Sequence, residues 1–320
     1  MTLFVQSLRM LGVERILEGL GRVGWGFAGI LLLSGAREAV RTLAWMRTVE
    51  GPVPLRFLPA FRARLVGEAL NTLLPMGMVV GEPAKASHVA ADIPFATAFS
   101  ALAVEFAFYC GSLVLLLGAG LSALVVLNKV PLDLHPVPFG LISAAVIGAS
   151  AIVLTCVGVK RRLGTGRAAA SEDRPGRLPI AVTRAVSGVR RLFDVVFGFA
   201  FRHPEHVRAI IACEIAYQLC AVAEVYLTLV LVSPLRPTLA SAVVLETVSR
   251  AITMLFKMVP MRVGVDEVGS SLFAGRLDLG ASTGLTLALV RKLRLLVWSA
   301  IGLALLARRR TVVTAEPAHA

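Results

Sequence analysis

The sequence predicts an all-α polytopic membrane protein, one transmembrane domain over residues 1–320, built as an inverted repeat with two re-entrant, broken helical hairpins. Three observations carry that prediction. The chain is 57 % hydrophobic with a mean hydropathy of +0.78, and several apolar runs reach the roughly 18 residues that a bilayer core requires. Charged residues make up 17 % of the chain, below the usual quarter for soluble domains, and they gather between the apolar runs. Finally, two Pro- and Gly-broken blocks, "PMGMVVGE" from Pro75 and "PMRVGVDE" from Pro260, align with each other.

The net charge of +13 does not point to nucleic acid, because the basic residues flank apolar segments and are not interleaved with exposed aromatics. They read as positive-inside flanks that also meet anionic headgroups. Cys110, Cys156, Cys213 and Cys220 lie in apolar segments without a CxxC pair, which indicates neither a disulfide framework nor a zinc site.

Residues 1–23 carry Arg9, Glu14, Arg15 and Glu18 at intervals and no uninterrupted apolar core. They predict an interfacial amphipathic helix and no signal peptide. Five spans follow: Gly24–Met46, Phe95–Gly118, Val137–Val157, Val207–Val232 and Ala281–Ala307. The first contains Arg37, Glu38 and Arg41, and an intramembrane charge costs at least about 2.5 kcal/mol unless it is paired or faces a polar cavity.

Residues 160–206 hold ten Lys and Arg against four acids, which marks them as cytoplasmic. The links Leu121–Pro136 and Ser233–Pro237 fall outside, and the tail 308–320, after Arg308, Arg309 and Arg310, falls inside. Phe95–Gly118 then runs from inside to outside and Ala281–Ala307 from outside to inside. Residues 57–91 and 238–278 must each begin and end on one side, as re-entrant hairpins do. The same count puts the N-terminus outside or in the outer interface.

In the aligned blocks Pro75, Met76, Val80 and Glu82 match Pro260, Met261, Val265 and Glu267. With one residue of slack, Asp92, Thr97 and Glu105 match Asp278, Thr283 and Arg291. The opposed directions of the following spans make the repeat an inverted one, an architecture in which broken helices meet near the midplane and present partial charges to a polar substrate. Irregular backbone at membrane depth survives only where it lines a wet cavity or is buried in protein. Pro75 and Pro83 each interrupt or start a helix, and Gly77 and Gly81 admit backbone conformations closed to other residues. "PMGMVVGEP" therefore reads as a hairpin tip, and a cytoplasmic loop with solvated Glu82 and Lys85 is the plainer alternative.

At these residues the chain resembles the lysylphosphatidylglycerol synthase transmembrane-region family, a flippase-like integral membrane domain, from about Gly24 to Leu306. "GEALNTLLPMGMVVGEPAKASHV" is similar to the family's first block and "VPMRVGVDEVG" to its second. The resemblance implies roles for Asn71, Pro75, Gly81, Glu82 and Lys85 in the first hairpin, and for Pro260, Gly264 and Glu267 in the second. Glu105 stands where the family usually has Asp, followed here by Phe106 where Arg is common, and Arg291 matches a basic position of the last helix. Glu105 and Arg291 are expected as a buried pair. Many members have a further apolar helix ahead of "GWGFAGI", and the aminoacyl-transferring members continue into a soluble domain that this sequence does not contain. The resemblance implies a stand-alone member handling lipid without transfer chemistry, in a bacterial inner membrane. A hopanoid-associated subgroup keeps that lipid class open.

Other motifs carry less. "GLGRVG" mimics a dinucleotide loop without a preceding strand. "HPEH" places His203 and His206 three apart, but with no further ligands in sequence no metal and no cofactor is assigned. His88 reads as an interfacial polar residue, and Trp25, Trp45 and Trp298 as interface anchors. No nucleotide-binding motif suggests an internal ATP motor.

The expected function is a non-enzymatic, flippase-like transporter that moves an anionic phospholipid or hopanoid-type lipid, with room for a homo-oligomer. Lys85, Arg262, Arg291 and Arg294 would attract the phosphate, and Glu82 and Glu267 would shape the cavity or meet a headgroup amine. An embedded lipid transferase with Glu82 or Glu267 as base, and a scaffold acting through 160–206, are the competing readings.

Overall fold

The computed structural model describes residues 21, 23–75, 77–127, 194–256 and 264–315. The predicted span Val137–Val157, most of the segments 1–23 and 160–206, and residues Pro260 and Arg262 lie outside the described residues. Among the described residues the fold is all helical. In chain order the long elements are α1 (Gly26–Thr48), α2 (Phe57–Leu73), α3 (Met78–His88), α4 (Phe95–Val126), α5 (Pro204–Val232), α6 (Leu239–Leu255), α7 (Val265–Arg276) and α8 (Ala281–Ala315). Residues 194–202 form a further helix leading into α5.

Two helices, Phe95–Leu124 and Pro204–Val232, are long and apolar enough to cross a membrane. In α1 and α8 the apolar run is interrupted by charged residues, and the packing shows what those charges do. Arg37 of α1 and Lys292 of α8 are buried inside the protein, so these faces are turned inward to partners.

The chain breaks where its prolines and glycines require it. Between α2 and α3 the helix stops at Leu73 and resumes at Met78, with Pro75 in the turn. Pro83, expected to interrupt or start a helix, instead sits inside α3. Its missing N–H removes the helical donor that the Val79 carbonyl would otherwise have. Gly264, at φ +90°, caps the start of α7 in a conformation that L side chains rarely adopt.

Several expected boundaries move. α4 continues past Gly118 to Val126, and α8 runs through Arg308–Arg310 to Ala315. Arg is a good helix former, and the next proline after Arg310 is Pro317. Trp45 is no interface anchor: it is fully buried beside Leu55, Ala60 and Ile93. Trp298 packs against Gly35, and of the three tryptophans Trp25 stands fully exposed.

The helices pack in two matched sets. In the first, α1 packs on α2 and α4, α2 on α3, and α3 on α4. In the second, α5 packs on α6 and α8, α6 on α7, and α7 on α8. Across the sets, α2 packs on α8 as α6 does on α4, and α1 on α8 as α5 does on α4. The pairing that maps onto itself is α1 with α5. These two run antiparallel: Gly26 lies at Leu231, Gly29 at Leu227, Arg37 at Glu224, and Ala44 at Ile210.

Close glycine contacts hold the crossings. A side chain at Gly120 of α4 would strike Thr247 of α6, and one at Gly302 of α8 would strike the Leu65 carbonyl of α2. Leu65 and Gly120 are as far apart in sequence as Thr247 and Gly302, so the two crossings are counterparts. Within the first hairpin, a Cβ on Gly81 would lie 2.6 Å from the Gly67 carbonyl oxygen. Gly81→Val should therefore destabilise the protein by about 1–3 kcal/mol through overpacking. A fall in thermal midpoint in detergent is expected for this variant, with no fall for Gly111→Ala, whose Cβ meets nothing within 4 Å.

Candidate functional site: a charged cavity between the two helix sets

At the centre of the fold lies a cavity of about 270 Å³ to which all eight helices contribute. Its basic wall is Arg37, Arg41, Arg250, Arg291 and Arg294. Its acidic wall is Glu38, Glu68, Glu82, Glu246 and Asp266. Phe106, Tyr109, Tyr217 and Leu295 add an aromatic and apolar side. A smaller cavity of about 60 Å³ shares Arg37, Glu38, Glu68 and Arg294 with it and is closed by Trp298 and Ser299.

The charges around the cavity are held in three groups. In the first, Lys85 is 1 % exposed and donates to Glu68 Oε1 at 2.7 Å and Glu82 Oε1 at 2.8 Å, while Asn71 Nδ2 donates to the same Glu82 oxygen at 3.2 Å. Beside it Arg64, fully buried, donates to Glu105 Oε1 at 2.7 Å, and Arg41 Nε donates to that oxygen at 2.8 Å. In the middle group, Glu224 joins the two sets by accepting from Arg37 Nη1 at 2.8 Å and from Arg294. Arg37 also donates to the Tyr217 hydroxyl at 3.0 Å. In the third, Glu246 accepts from Arg250 Nε at 2.8 Å and Arg291 Nη2 at 3.0 Å.

Tyr217 lies under three guanidinium groups, those of Arg37, Arg41 and Arg250, at 4.8–5.5 Å. Arg41 also stacks on Tyr109 at 4.2 Å, and the two tyrosines meet edge to face at 5.9 Å. Ring faces attract cations, so the tyrosines hold neighbouring guanidinium groups together that would otherwise repel. Arg37 Nε, Arg294 Nε and Asn71 Oδ1 are buried without a hydrogen-bond partner among the described residues. Buried polar atoms are normally satisfied, so these three mark where the polar network is incomplete.

Of the residues singled out from the sequence, Asn71, Glu82, Arg291 and Arg294 line the cavity. Pro75 sits in the break beside it, and Gly81 lets α3 approach α2 closely enough for Lys85 to reach Glu68. Lys85 and Glu105 stand behind the wall and orient its members. Gly264 and Glu267 start α7: Gly264 N donates to Glu267 Oε2 at 2.8 Å, and Glu267 also pairs with Lys292. The expected Glu105 and Arg291 pair does not form. Glu105 faces Arg41 and Arg64, whereas Arg291 faces Glu246 on α6, so each is neutralised within its own helix set.

The sequence reading did not assign Arg37, Glu38, Arg41, Glu68, Tyr109, Tyr217, Glu224, Glu246 or Arg250 to the site. For the charged ones the available signal was charge within apolar runs, together with the i, i+4 spacing of Glu246 and Arg250; Tyr109 and Tyr217 carried none. An ionised side chain that interrupts a span needs a partner, and here the partners come from other helices.

An all-helical fold in which two helices are long and apolar enough to cross a membrane surrounds an ion-paired cavity, and together with its family this makes the chain a membrane protein. The chain belongs to the family described as the lysylphosphatidylglycerol synthase TM region, which matches residues 1–302. That membership gives it a membrane lipid-related function. No curated protein and no solved structure matches it.

Removing one partner of a buried ion pair costs about 3–5 kcal/mol. Lys85→Met leaves Glu68 and Glu82 facing each other without their cation, and should lower stability by that order. Glu68→Gln, which keeps the Lys85 to Glu82 pair, should cost less. Thermal unfolding of the purified variants in one detergent reads the difference.

Proposed function

We propose that the protein is a flippase-like transporter that carries the headgroup of an anionic phospholipid through the central cavity without converting it. The supporting observation is the cavity itself: charges from six of the eight helices, with Phe106, Tyr109 and Tyr217 from the other two, surround a space of headgroup size. Pockets that enclose whole drug-sized ligands are about 300–1,000 Å³, so 270 Å³ takes a headgroup while the acyl chains stay in the bilayer.

In this reading α1–α4 and α5–α8 are inverted repeats, residues 57–91 and 238–278 are re-entrant hairpins, and the polytopic chain sits in a bacterial inner membrane with its C-terminus cytoplasmic. The antiparallel α1 and α5 support the inversion. Counterpart helices related by a two-fold axis across their length run antiparallel, whereas an axis along their length would leave them parallel. Rocking of one set against the other about this pair would expose the cavity to each side in turn.

Guanidinium groups bind carboxylates and phosphates with the same two-pronged geometry. A headgroup phosphate can therefore take the place of Glu246 or Glu224 on Arg37, Arg291 or Arg294. The displaced carboxylates keep the cavity from trapping the phosphate, and they can meet a headgroup amine. A hopanoid-type polyol brings no anion to exchange with the carboxylates already paired to these arginines, so the phospholipid is favoured. A pure scaffold has no use for an ion-lined cavity, and a transferase would need an acceptor positioned beside Glu82 or Glu267.

In proteoliposomes with a fluorescent phosphatidylglycerol, wild type should increase transbilayer movement. Arg37→Gln and Arg294→Gln should reduce it at least tenfold, and Val230→Ala, on the exposed face of α5, should not. Equal movement by wild type and both folded arginine variants would rule the transport reading out.

A further inference from the structure

The sequence offers His203 and His206 without companions, but the fold supplies them. Where helix 194–202 gives way to α5, His203, Glu205 and His206 bring one ligand atom each to within 4.8 Å of one another. Spacing of two residues does not place side chains on one face of a regular helix. Here His203 is the residue before α5, with non-helical φ −129° and ψ 62°, and this turn of the backbone swings its ring round to Glu205 and His206. The two imidazole rings lie nearly parallel at 5.4 Å, and both rest against Phe199, which is 2 % exposed. The rings are held by packing before any ligand arrives.

A fourth residue comes from the other helix set. Glu50, in the connection after α1, lies with Oε1 3.1 Å from His203 Nε2, while His203 Nδ1 is 3.8 Å from Glu205 Oε1. One nitrogen of His203 thus faces a carboxylate outside the cluster and the other faces the cluster. Metal-binding histidines show this arrangement: the far N–H donates to a carboxylate, which fixes the tautomer and leaves the near nitrogen free to ligate. Arg202 in turn holds Glu50 at 3.1 Å. Zinc ligands stand about 2.0–2.2 Å from the ion in a tetrahedron, so neighbouring donors are separated by about 3.3 Å. The 3.8 Å between His203 Nδ1 and Glu205 Oε1 closes to that value with a side-chain shift of a few tenths of an ångström, and the bound of 4.8 Å on the three ligand atoms means that closing the whole set takes a side-chain rotation of at most about 1.5 Å.

We propose that His203, Glu205 and His206 form a binding site for a divalent transition metal of the zinc class, with Glu50 as the outer carboxylate that orients His203. Imidazole with one carboxylate suits Zn²⁺ and its neighbours in preference to Mg²⁺ or Ca²⁺. Three protein ligands leave a coordination position for water. Glu50 and Glu205 offset both the ion's charge and the positive N-terminal end of α5. The site ties the connection after α1 to the start of α5, the two antiparallel helices that join the two sets, so the metal would staple one end of that pair. None of this depends on which lipid the cavity accepts.

The test uses the tag-free full chain in detergent, stripped with EDTA and titrated with Zn²⁺ against a chromogenic chelator. Wild type should take up stoichiometric Zn²⁺ and rise in thermal midpoint. His206→Gln should lose at least tenfold in affinity and show no midpoint rise. Glu50→Gln should weaken binding by about 10–100-fold, and His88→Gln should bind as wild type does. Co²⁺ in the wild type should give the intense visible bands of a four- or five-coordinate ion, a readout independent of how the variants fold. Absence of uptake by wild type, uptake unchanged in His203→Gln and His206→Gln, or a weak octahedral Co²⁺ spectrum would each overturn the proposal.

Discussion

Burying ionised side chains among apolar helices is the constraint on which the rest of this structure depends. A charge removed from water costs several kcal/mol even after relaxation, and this fold encloses Arg37, Arg64, Lys85, Glu105, Glu224, Glu246 and Lys292. They are tolerated because they meet in opposite pairs. Glu105 receives two guanidinium groups on one oxygen, Lys85 spans two carboxylates, and Glu224 and Glu246 each receive two guanidinium groups. Charge balance therefore dictates which helix faces turn inward, and the apolar faces are left for the membrane.

That balance is achieved mostly inside each helix set, with one bridge between them. Arg41, Arg64 and Glu105 belong to α1, α2 and α4, and Glu246, Arg250 and Arg291 to α6 and α8. The Arg37, Glu224 and Arg294 group crosses from one set to the other at the antiparallel α1 and α5. The ion pairs of the group that joins the two sets sit at this junction, beside the cavity. The same antiparallel pair carries the histidine and glutamate cluster at its other end, where the chain re-enters α5.

Glycine sets how close the helices come. At Gly120 and Gly302 the long helices α4 and α8 cross their partners with no space for a side chain, and at Gly67 and Gly81 the two arms of the first hairpin meet backbone to backbone. The second contact positions Lys85. With a larger residue at Gly81 the ammonium could not lie between Glu68 and Glu82, so a packing requirement in the hairpin becomes an electrostatic one in the cavity wall.

The sequence by itself determined the all-helical class, the membrane setting and the break at Pro75, because hydropathy and helix-breaking chemistry are local properties. It placed the unusual backbone at Gly77 and Gly81, whereas both are helical, Gly77 at φ −51°, and the positive φ falls at Gly264. It also singled out Asn71, Glu82, Arg291 and Arg294, which do line the cavity. It did not reveal Pro83 within a helix or Trp45 in the core, since both depend on what packs outside the residue. Only the tertiary structure decided the ion-pair partners. Glu105 and Arg291 stand at matching points of the aligned blocks, yet each found a nearer opposite charge, because Coulomb attraction in a poorly solvated interior selects by distance and not by position along the chain. The matched packing of α1 with α5 was equally out of reach: their sequences share no motif, and their kinship lies in which helices each one touches.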